Sequence, residues 1–338
     1  LLLGTGSVAS YAPRAAVQRP ATLVRRHRPA FLFINETPSR VVALADVHGD
    51  ADALRSVLSL AGLLDEATDR WCGGDATLVQ LGDILDRGAE EAECFELLWR
   101  LDFEARAAGG RVVCLLGNHE IMNVAGRATP FVHARGRFAF GPDRIQAWRQ
   151  GGPLATALAD CPVVAIVGDS AFVHAHLPRS LTRDSLALLN AEMRDWLLDP
   201  LTPPPSWVWG GDESPVWDRR LSSGGEPYEE DCEDLRGALA ALNVSRLVVG
   251  HTPQAPGINC ACGGKVWRCD TGMSRWVVGG PCEALEIMPD GDVRILSERR
   301  MPAPAVGPPV ATPAGRQKPA PSSQCDEEEC VVEEVFLN

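Results

Sequence analysis

Three short segments of the sequence combine side chains that can bind cations, move protons and hold anions: residues 46–50 (DVHGD), 82–88 (GDILDRG) and 117–120 (GNHE). Carboxylate, imidazole and amide groups together suit manganese, iron or zinc. Imidazole can also donate a proton near neutral pH. The arginine of the second segment suits phosphate, because its planar guanidinium donates two parallel hydrogen bonds. The pattern indicates metal binding, proton transfer and phosphate binding.

Each segment taken alone also has an ordinary structural interpretation. Asp50 could cap a helix that begins at Ala51. Residues 82–88 could form a surface turn with an Asp–Arg ion pair, since turns commonly contain Gly and Asp. All three segments, however, directly follow an apolar run that predicts a strand. Three independent structural causes for the same placement are improbable, so the repetition favours the functional interpretation.

The elements that must position these side chains alternate regularly in the first half of the chain. Apolar runs predict strands at 41–45, 77–81 and 111–116, and helical spacing of apolar residues predicts helices at 51–64 and 90–108. This is the βαβαβ pattern of a partly parallel sheet with covering helices. Ligand sites in α/β proteins lie at the carboxyl edge of such a sheet, so the three segments are expected to meet there.

The second half of the sequence predicts a different arrangement. Strands are expected at 163–167, 171–173, 247–249, 266–268, 284–287 and 293–296, and helices at 180–198 and 231–242. Several of these strands lie too close together for a helix between them, so we expect antiparallel pairs.

In this order, the three segments resemble the D-x-H-G, G-D-x-x-D-R-G and G-N-H-E signature of the calcineurin-like metallophosphoesterases, in the form used by phosphoprotein phosphatases. Residues 117–123 (GNHEIMN), 214–219 (SPVWDR) and 250–254 (GHTPQ) are most similar to the Shewanella-like protein phosphatases. The resemblance covers about residues 41–296. It implies an α/β fold in which helices flank a sandwich of two mixed β-sheets.

The resemblance implies a site for two metal ions (manganese, iron or zinc) on six side chains: Asp46, His48, Asp83, Asn118, His174 and His251. The first two would bind one ion, Asp83 would bridge to the second, and the other three would complete the second ion's shell. One position departs from the family pattern, because His176 stands where glycine is usual. His174 is preferred as the ligand since it directly follows a strand, but His176 could lie near the site or replace it.

The resemblance also assigns catalytic and substrate-binding roles. His119 would protonate the leaving oxygen as a general acid, and Asp86 would orient it. Arg87 would bind phosphate together with Arg219, for which Arg220 is the alternative. The implied reaction is hydrolysis of a phosphomonoester by a metal-activated water, on a protein or peptide phosphorylated at Ser/Thr or Tyr.

Two other functions stay open at this stage. One is a nucleotide hydrolase similar to dinucleoside tetraphosphatases, which share two of the motifs. The other is a catalytically inactive module that recognises phosphate. A phosphodiesterase is less favoured, because those relatives commonly carry G-H-x-H where this chain has Gly250-His251-Thr252-Pro253.

The composition of the chain excludes some classes of partner and indicates where its domains begin and end. The net charge of −13 argues against nucleic acid as a partner, and no apolar run approaches the roughly 20 residues that span a bilayer. The oligomeric state is not indicated. We expect a basic leader at 1–38, a catalytic domain at 39–299, and a Pro/Ala-rich linker with an acidic tail at 300–338. The protein is expected to be soluble and intracellular: cytoplasmic, or in a chloroplast or mitochondrion if the disordered-looking leader is a transit peptide.

The cysteines predict mostly reduced thiols. The chain has 11 of them, at scattered spacings, which is not typical of a small secreted disulfide framework. The tighter cluster between Cys260 and Cys282 lacks the usual spacing of a zinc site, so ordinary packing is the favoured interpretation.

Overall fold

The computed structural model describes residues 33–34 and 38–297 of the 338. Most of the predicted leader, and the predicted linker and tail, lie outside the described residues, so the domain boundaries stay predictions. The described residues form these strands: β1 Phe33–Ile34, β2 Val41–Leu44, β3 Leu64–Asp65, β4 Arg70–Trp71, β5 Thr77–Gln80, β6 Arg111–Cys114, β7 Val164–Val167, β8 Ser170–Val173, β9 Arg246–Val249, β10 Asn259–Ala261, β11 Val266–Arg268, β12 Glu283–Ile287 and β13 Val293–Ser297.

The α-helices are α1 Ala51–Leu60, α2 Glu91–Ala107, α3 Asn118–Val124, α4 Arg144–Trp148, α5 Pro153–Leu158, α6 Arg183–Leu198 and α7 Glu229–Leu242. Three short 3-10 helices cover Thr129–Phe131, Gly136–Phe138 and Ser206–Trp209. Within the described part of the chain, no helix is both long and apolar enough to cross a bilayer.

Two mixed sheets form the framework, as the resemblance implies. The five-stranded sheet has the order β13-β12-β2-β5-β6, and its β2, β5 and β6 pair in parallel. The predicted βαβαβ unit is therefore confirmed. The six-stranded sheet has the order β1-β7-β8-β9-β11-β10. The expected antiparallel pairs of the second half include β7 with β8 and β12 with β13.

The two sheets pack face to face, which explains why their strands read as continuous apolar runs. Ala43, Val79 and Val113 of the five-stranded sheet share one buried cluster with Phe172 and Val248 of the other sheet. The opposite face of the five-stranded sheet packs against α1 and α2. A strand buried on both faces has no polar side to present to water, and all four residues of β2 are buried.

Helix α1 ends earlier than predicted. Asp50 caps its start as expected, accepting a hydrogen bond from the amide of Ala53 at 3.2 Å. The helix ends at Leu60 instead of Leu64, because the amide of Leu63 turns back to the carbonyl of Leu58 at 2.9 Å. That bond is typical of a Schellman end.

A disulfide joins Cys232 in α7 to Cys262 in the turn between β10 and β11. The prediction of a reduced thiol in ordinary packing at Cys262 is therefore wrong for this pair. The two cysteines are 30 residues apart, and only the placement of α7 against the sheet brings them together.

Candidate metal centre and active site

The six predicted metal-binding side chains converge from loops on both sheets. Four follow strands of the five-stranded sheet and two follow strands of the six-stranded sheet, and all are at most 6% exposed: Asp46, His48, Asp83, Asn118, His174 and His251. The third segment also starts a helix that the sequence analysis does not predict, because Asn118 is the first residue of α3. The geometry gathers the full set at one place.

One carboxylate oxygen lies at the centre of this group. Oδ2 of Asp83 is 3.7 Å from Nε2 of His48, 3.9 Å from Nε2 of His119 and 3.5 Å from Nε2 of His174. Two ligands that bind one ion at about 2.1 Å lie about 3–4 Å apart, so the separations to His48 and His174 match donors around shared ions.

Asp83 belongs to both sets of side chains that could hold an ion at this site. One set joins it with His48 and His119, and the other joins it with His174 and His251. Asn118 lies beside the second set, since its Oδ1 is 3.0 Å from Nε2 of His174. A carboxylate common to two neighbouring sets has the placement that a bridging ligand requires.

Hydrogen bonds from the opposite ring nitrogens orient two of the histidines. Nδ1 of His48 lies 2.9 Å from the carbonyl of Leu85, and Nδ1 of His174 lies 2.8 Å from the carbonyl of Leu81. A carbonyl oxygen only accepts hydrogen bonds, so each Nδ1 must carry the proton. Each Nε2 is then left to face Asp83 as a potential ligand atom.

Asp46 links the two sheets at the site. Its Oδ1 accepts a hydrogen bond from the backbone amide of His251 at 3.0 Å, and its Oδ2 is 3.8 Å from Nε2 of His48. Nδ1 of His251 lies 3.2 Å from Nε2 of His174, and the same Nε2 lies 3.5 Å from Oδ2 of Asp83. Two buried imidazole nitrogens that face each other beside a carboxylate fit a site that receives a cation, so the donor set suits the two metal ions.

The electrostatics of the metal-free site also favour a cation. Burial alone would lower the pKa of His174, but the carboxylates of Asp83 and Asp46 raise it to about 10. Burial would raise the pKa of Asp83, but His174 and His119 hold it well below its usual value. Burial lowers the pKa of His48 to about 3. The buried carboxylates thus retain positive charge at the centre even without metal.

His119 and Asp86 form a hydrogen-bonded pair next to this centre. Nδ1 of His119 is 2.7 Å from Oδ2 of Asp86. Burial opposes the charged imidazole, but Asp83 and Asp86 outweigh it and raise the pKa of His119. A histidine held protonated by an adjacent carboxylate is suited to donate a proton from its other nitrogen.

Three groups around the site have no role in the sequence analysis. Glu120 accepts hydrogen bonds from four backbone amides of the second and third segments, at 2.8–3.2 Å. Arg144 contacts Asp86 from α4. Asp270 is 2% exposed, burial raises its pKa to about 6, and its negative charge raises the pKa of Asp46. Glu120 stands inside a motif that could have suggested it, whereas no local signal marks the other two.

Close packing explains two glycines of the motifs. A Cβ on Gly117 would lie 2.2 Å from Oδ1 of Asp83, and a Cβ on Gly250 would lie 2.6 Å from Oδ1 of Asp46. Contacts this short do not occur in folded proteins, so any larger residue would displace a central carboxylate.

The loops of the site also adopt a backbone conformation that side chains disfavour. Five residues other than glycine have φ between 45° and 70° there: His48, Asp83, Asp86, Arg87 and His251. Such residues are strained, and they persist where the surrounding structure holds them in place.

The predicted phosphate-binding arginines lie at the open side of the site. Arg87 and Arg219 are both exposed, and Arg219 donates to Thr252, directly after His251, at 3.0 Å. Arg220, the alternative, instead pairs with the carboxylate of Asp218 at 2.9 Å. Arg219 is therefore the arginine that the fold brings next to the site.

His176 lies apart from the two potential metal sets. Its Nε2 is 3.8 Å from a carboxylate oxygen of Glu213 and 3.9 Å from one of Asp218. Both ring nitrogens are buried and make no hydrogen bond with the described residues. Its position does not favour the alternative in which it replaces His174.

Comparison with known proteins agrees with this geometry. Residues 39–255 match the calcineurin-like phosphoesterase family. Shewanella-like protein phosphatase 2 of Arabidopsis thaliana is 36% identical in an alignment that covers 78% of this chain and 78% of that protein. Shewanella-like protein phosphatase 1 of Plasmodium berghei (strain Anka) is 28% identical over 244 residues, or 70% of this chain and 67% of the relative.

Two solved structures are similar in fold. A cold-active protein tyrosine phosphatase superposes with a TM-score of 0.62 and 26% identity, covering 80% of this chain and 84% of its own. A protein serine/threonine phosphatase of Saccharomyces cerevisiae gives a TM-score of 0.57 with 15% identity, covering 81% and 85%. The second likeness concerns the fold alone.

Proposed function

The chain belongs to the calcineurin-like phosphoesterase family, and on that premise we propose that it is a metal-dependent protein phosphatase with a preference for phosphotyrosine. The central position of Asp83 carries this proposal, because one carboxylate shared by two sets of buried donors suits a pair of divalent ions. Asp46, His48, Asn118, His174 and His251 would complete their shells.

The ions, when bound, activate water and withdraw charge from the phosphate oxygens. The chain's own residues then do three things. Arg87 and Arg219 bind the phosphate oxygens and neutralise their charge. His119 gives the proton on Nε2 to the leaving oxygen, and Asp86 stabilises the imidazolium through Nδ1 before that transfer. Phosphate binding and protonation of the leaving group therefore come from different side chains.

Phosphotyrosine is favoured by an aromatic surface beside the general acid. Phe131 packs its ring edge-on to His119, with centroids 5.3 Å apart, and it is 39% exposed. The guanidinium of Arg87 lies over the same ring at 5.7 Å. A phosphate held by Arg87 would place a flat leaving group against Phe131. The similar structure described as a protein tyrosine phosphatase supports this preference.

The test measures phosphate release from one peptide sequence carrying phosphotyrosine or phosphothreonine, and from a dinucleoside tetraphosphate, after manganese loading. We expect release from both peptides, faster from phosphotyrosine, and loss of both activities in Asp83→Asn. Cleavage of the dinucleotide alone would replace this function with a nucleotide hydrolase. No turnover of any substrate by the metal-loaded protein would favour an inactive phosphate-recognising module.

A matched pair of variants tests the aromatic surface. Phe131→Leu should reduce the phosphotyrosine-to-phosphothreonine ratio of kcat/KM by about 3- to 10-fold, the scale of one aromatic contact. Phe138→Leu serves as the control, because Phe138 lies in the same segment but is 66% exposed. An unchanged ratio in Phe131→Leu would contradict the assigned preference.

A further inference from the structure

Arg144 forms several hydrogen bonds with buried side chains next to His119, the proposed general acid. It is the first residue of α4, and its side chain is 10% exposed. Its two terminal nitrogens lie 2.6 and 2.9 Å from the two carboxylate oxygens of Glu91. One of them also lies 3.2 Å from Oδ1 of Asp86 and 2.8 Å from Oδ1 of Asn123. A planar guanidinium has five N–H donors in a fixed fork, so it can bind both oxygens of Glu91 and still reach Asp86 and Asn123, whereas an ammonium group has three donors on one nitrogen.

These contacts fix Asp86 from several directions. Oδ2 of Asp86 accepts hydrogen bonds from Nδ1 of His119 and from Nδ2 of Asn123, at 2.7 and 3.0 Å. Its backbone amide donates to Glu91 at 2.6 Å. The carboxylate is fully buried, so every neighbour that restrains it is a protein group. Apart from the imidazolium of His119, Arg144 is the one cation that these contacts place against Asp86.

Arg144 also decides which way the Asn123 side chain points. Its guanidinium can only donate hydrogen bonds, so the Asn123 oxygen faces Arg144 and the amide nitrogen faces Asp86. Without Arg144, either orientation of Asn123 leaves a group unsatisfied, and Asp86 and Glu91 face each other with no cation between them. A buried carboxylate that loses its cation is strongly disfavoured, so Asp86 would move from its position against His119.

We infer that Arg144 is a positioning residue for the general acid: it holds Asp86 so that the Asp86 carboxylate orients His119 toward the leaving oxygen. The inference rests on the proposed phosphatase function. In the step concerned, a water oxygen forms a bond to phosphorus and its proton is lost to solvent. The bond between phosphorus and the ester oxygen breaks, its electron pair goes to that oxygen, and the oxygen takes the Nε2 proton of His119. Arg144 thereby contributes to the acid step without touching substrate.

The experiment uses the dependence of rate on the leaving group. A poor leaving group needs the proton from His119, whereas a good one departs without it. We expect Arg144→Met and Arg144→Lys to lower kcat for phenyl phosphate by about 10- to 100-fold, within the contribution of a general acid. For dinitrophenyl phosphate, kcat should change by less than about 3-fold. The KM values for both esters should stay unchanged. Asp86→Asn should show the same selective loss.

Arg149→Met is the matched control, because Arg149 follows the last residue of α4 and is exposed. It removes the same charge from the same segment and should leave both rates unchanged. Equal losses on both esters in both Arg144 variants would overturn the inference, since that is the result of a general structural defect.

A second measurement does not depend on turnover. In the zinc-loaded protein, the strongly hydrogen-bonded Nδ1 proton of His119 should give a downfield NMR signal that disappears in His119→Gln. The signal should shift or vanish in Arg144→Lys and persist in Arg149→Met. An unchanged signal in Arg144→Lys would overturn the positioning role. Failure of the wild-type protein to hydrolyse either ester would instead refute the proposed function.

Discussion

Replacing Glu120 with glutamine should weaken metal binding while leaving the fold intact. Oε2 of Glu120 accepts the amides of Asp83 and Gly117 at 2.8 and 2.9 Å, and Oε1 accepts those of Ile84 and Leu85 at 2.9 and 3.2 Å. Glutamine keeps one oxygen, so two amides would face a donor. Each buried amide left without an acceptor costs about 1–3 kcal/mol, or about 2–6 kcal/mol for the pair.

Removing the buried negative charge of Glu120 raises the free energy of unfolding, which opposes the cost of the two unpaired amides. Burial and the neighbouring Asp83 raise the pKa of Glu120 from 4.5 to about 7. The folded protein therefore binds this proton more tightly than the unfolded chain does, so the carboxylate destabilises the fold increasingly as the pH rises from 4.5 to 7. Above that range the effect reaches about 3 kcal/mol. The glutamine variant avoids it, and the two effects largely offset each other at pH 8.

The expected outcome is a free energy of unfolding within about 3 kcal/mol of wild type in the metal-free protein at pH 8. Zinc affinity should fall by about 10- to 100-fold, because the amides that fix Asp83 are released and a negative charge near the ions is lost. Denaturant unfolding and titration of zinc against a chelating dye measure the two quantities. As the control, Glu104→Gln should leave the zinc affinity unchanged, because Glu104 is a partly buried carboxylate of α2 that accepts the amide of Trp71.

A folded Glu120→Gln variant that binds zinc as tightly as wild type would refute the reasoning. It would mean that the acceptor for these four amides does not control the metal ligands.

Three other substitutions test separate features. Gly250→Ala should abolish tight metal binding, measured by zinc titration, because the new Cβ would lie 2.6 Å from Oδ1 of Asp46. Replacing Cys232 and Cys262 by serine should lower stability by about 3–4 kcal/mol for a 30-residue loop, and Tm in calorimetry by about 10 °C. Burial lowers the pKa of His176. As the pH falls below about 6.5, the unfolded chain therefore takes up this proton before the folded protein does, and the free energy of unfolding decreases. His176→Gln should reduce that decrease, measured by urea unfolding at pH 8 and pH 5.

Each of these has a clear contrary result. For the first, Gly237→Ala is the control, since a Cβ on Gly237 meets nothing within 4 Å; equal metal affinity in both variants would contradict the steric argument. An unchanged Tm in the double serine variant would show that the disulfide does not restrain the unfolded chain. An identical pH dependence in His176→Gln would show that other groups cause the acid sensitivity.

The apolar runs of the sequence predict the βαβαβ unit of the five-stranded sheet, and the resemblance implies the two-sheet framework. Each of the six proposed ligands lies just after a strand, and a strand buried on both faces leaves a clear apolar run in the sequence. Position along the chain therefore translates into position at a sheet edge. Helix α3 is missed by the same logic, because all residues of Asn118–Val124 are buried and a helix buried all round has no amphipathic period.

The supporting groups could not be predicted in this way. Arg144 meets Glu91 and Asp86 across 53 and 58 residues of sequence, and its short helix α4 has no apolar pattern that fixes its place. Glu120 meets the amide of Asp83 across 37 residues. Side-chain contacts of this kind follow from the packed tertiary structure, so a sequence pattern gives the metal ligands more readily than the groups that hold them in place.

The left-handed residues at the site have a consequence for how the protein can evolve. The left-handed backbone conformation costs about 1 kcal/mol or more at each of five residues: His48, Asp83, Asp86, Arg87 and His251. The summed cost in free energy is comparable to the net stability of a whole domain. Glycine or asparagine at these positions would relieve the strain but remove the chemistry. Selection for heat tolerance and selection for turnover therefore act in opposite directions on the same five residues, and heat-adapted relatives must gain their stability in the sheets and helices instead.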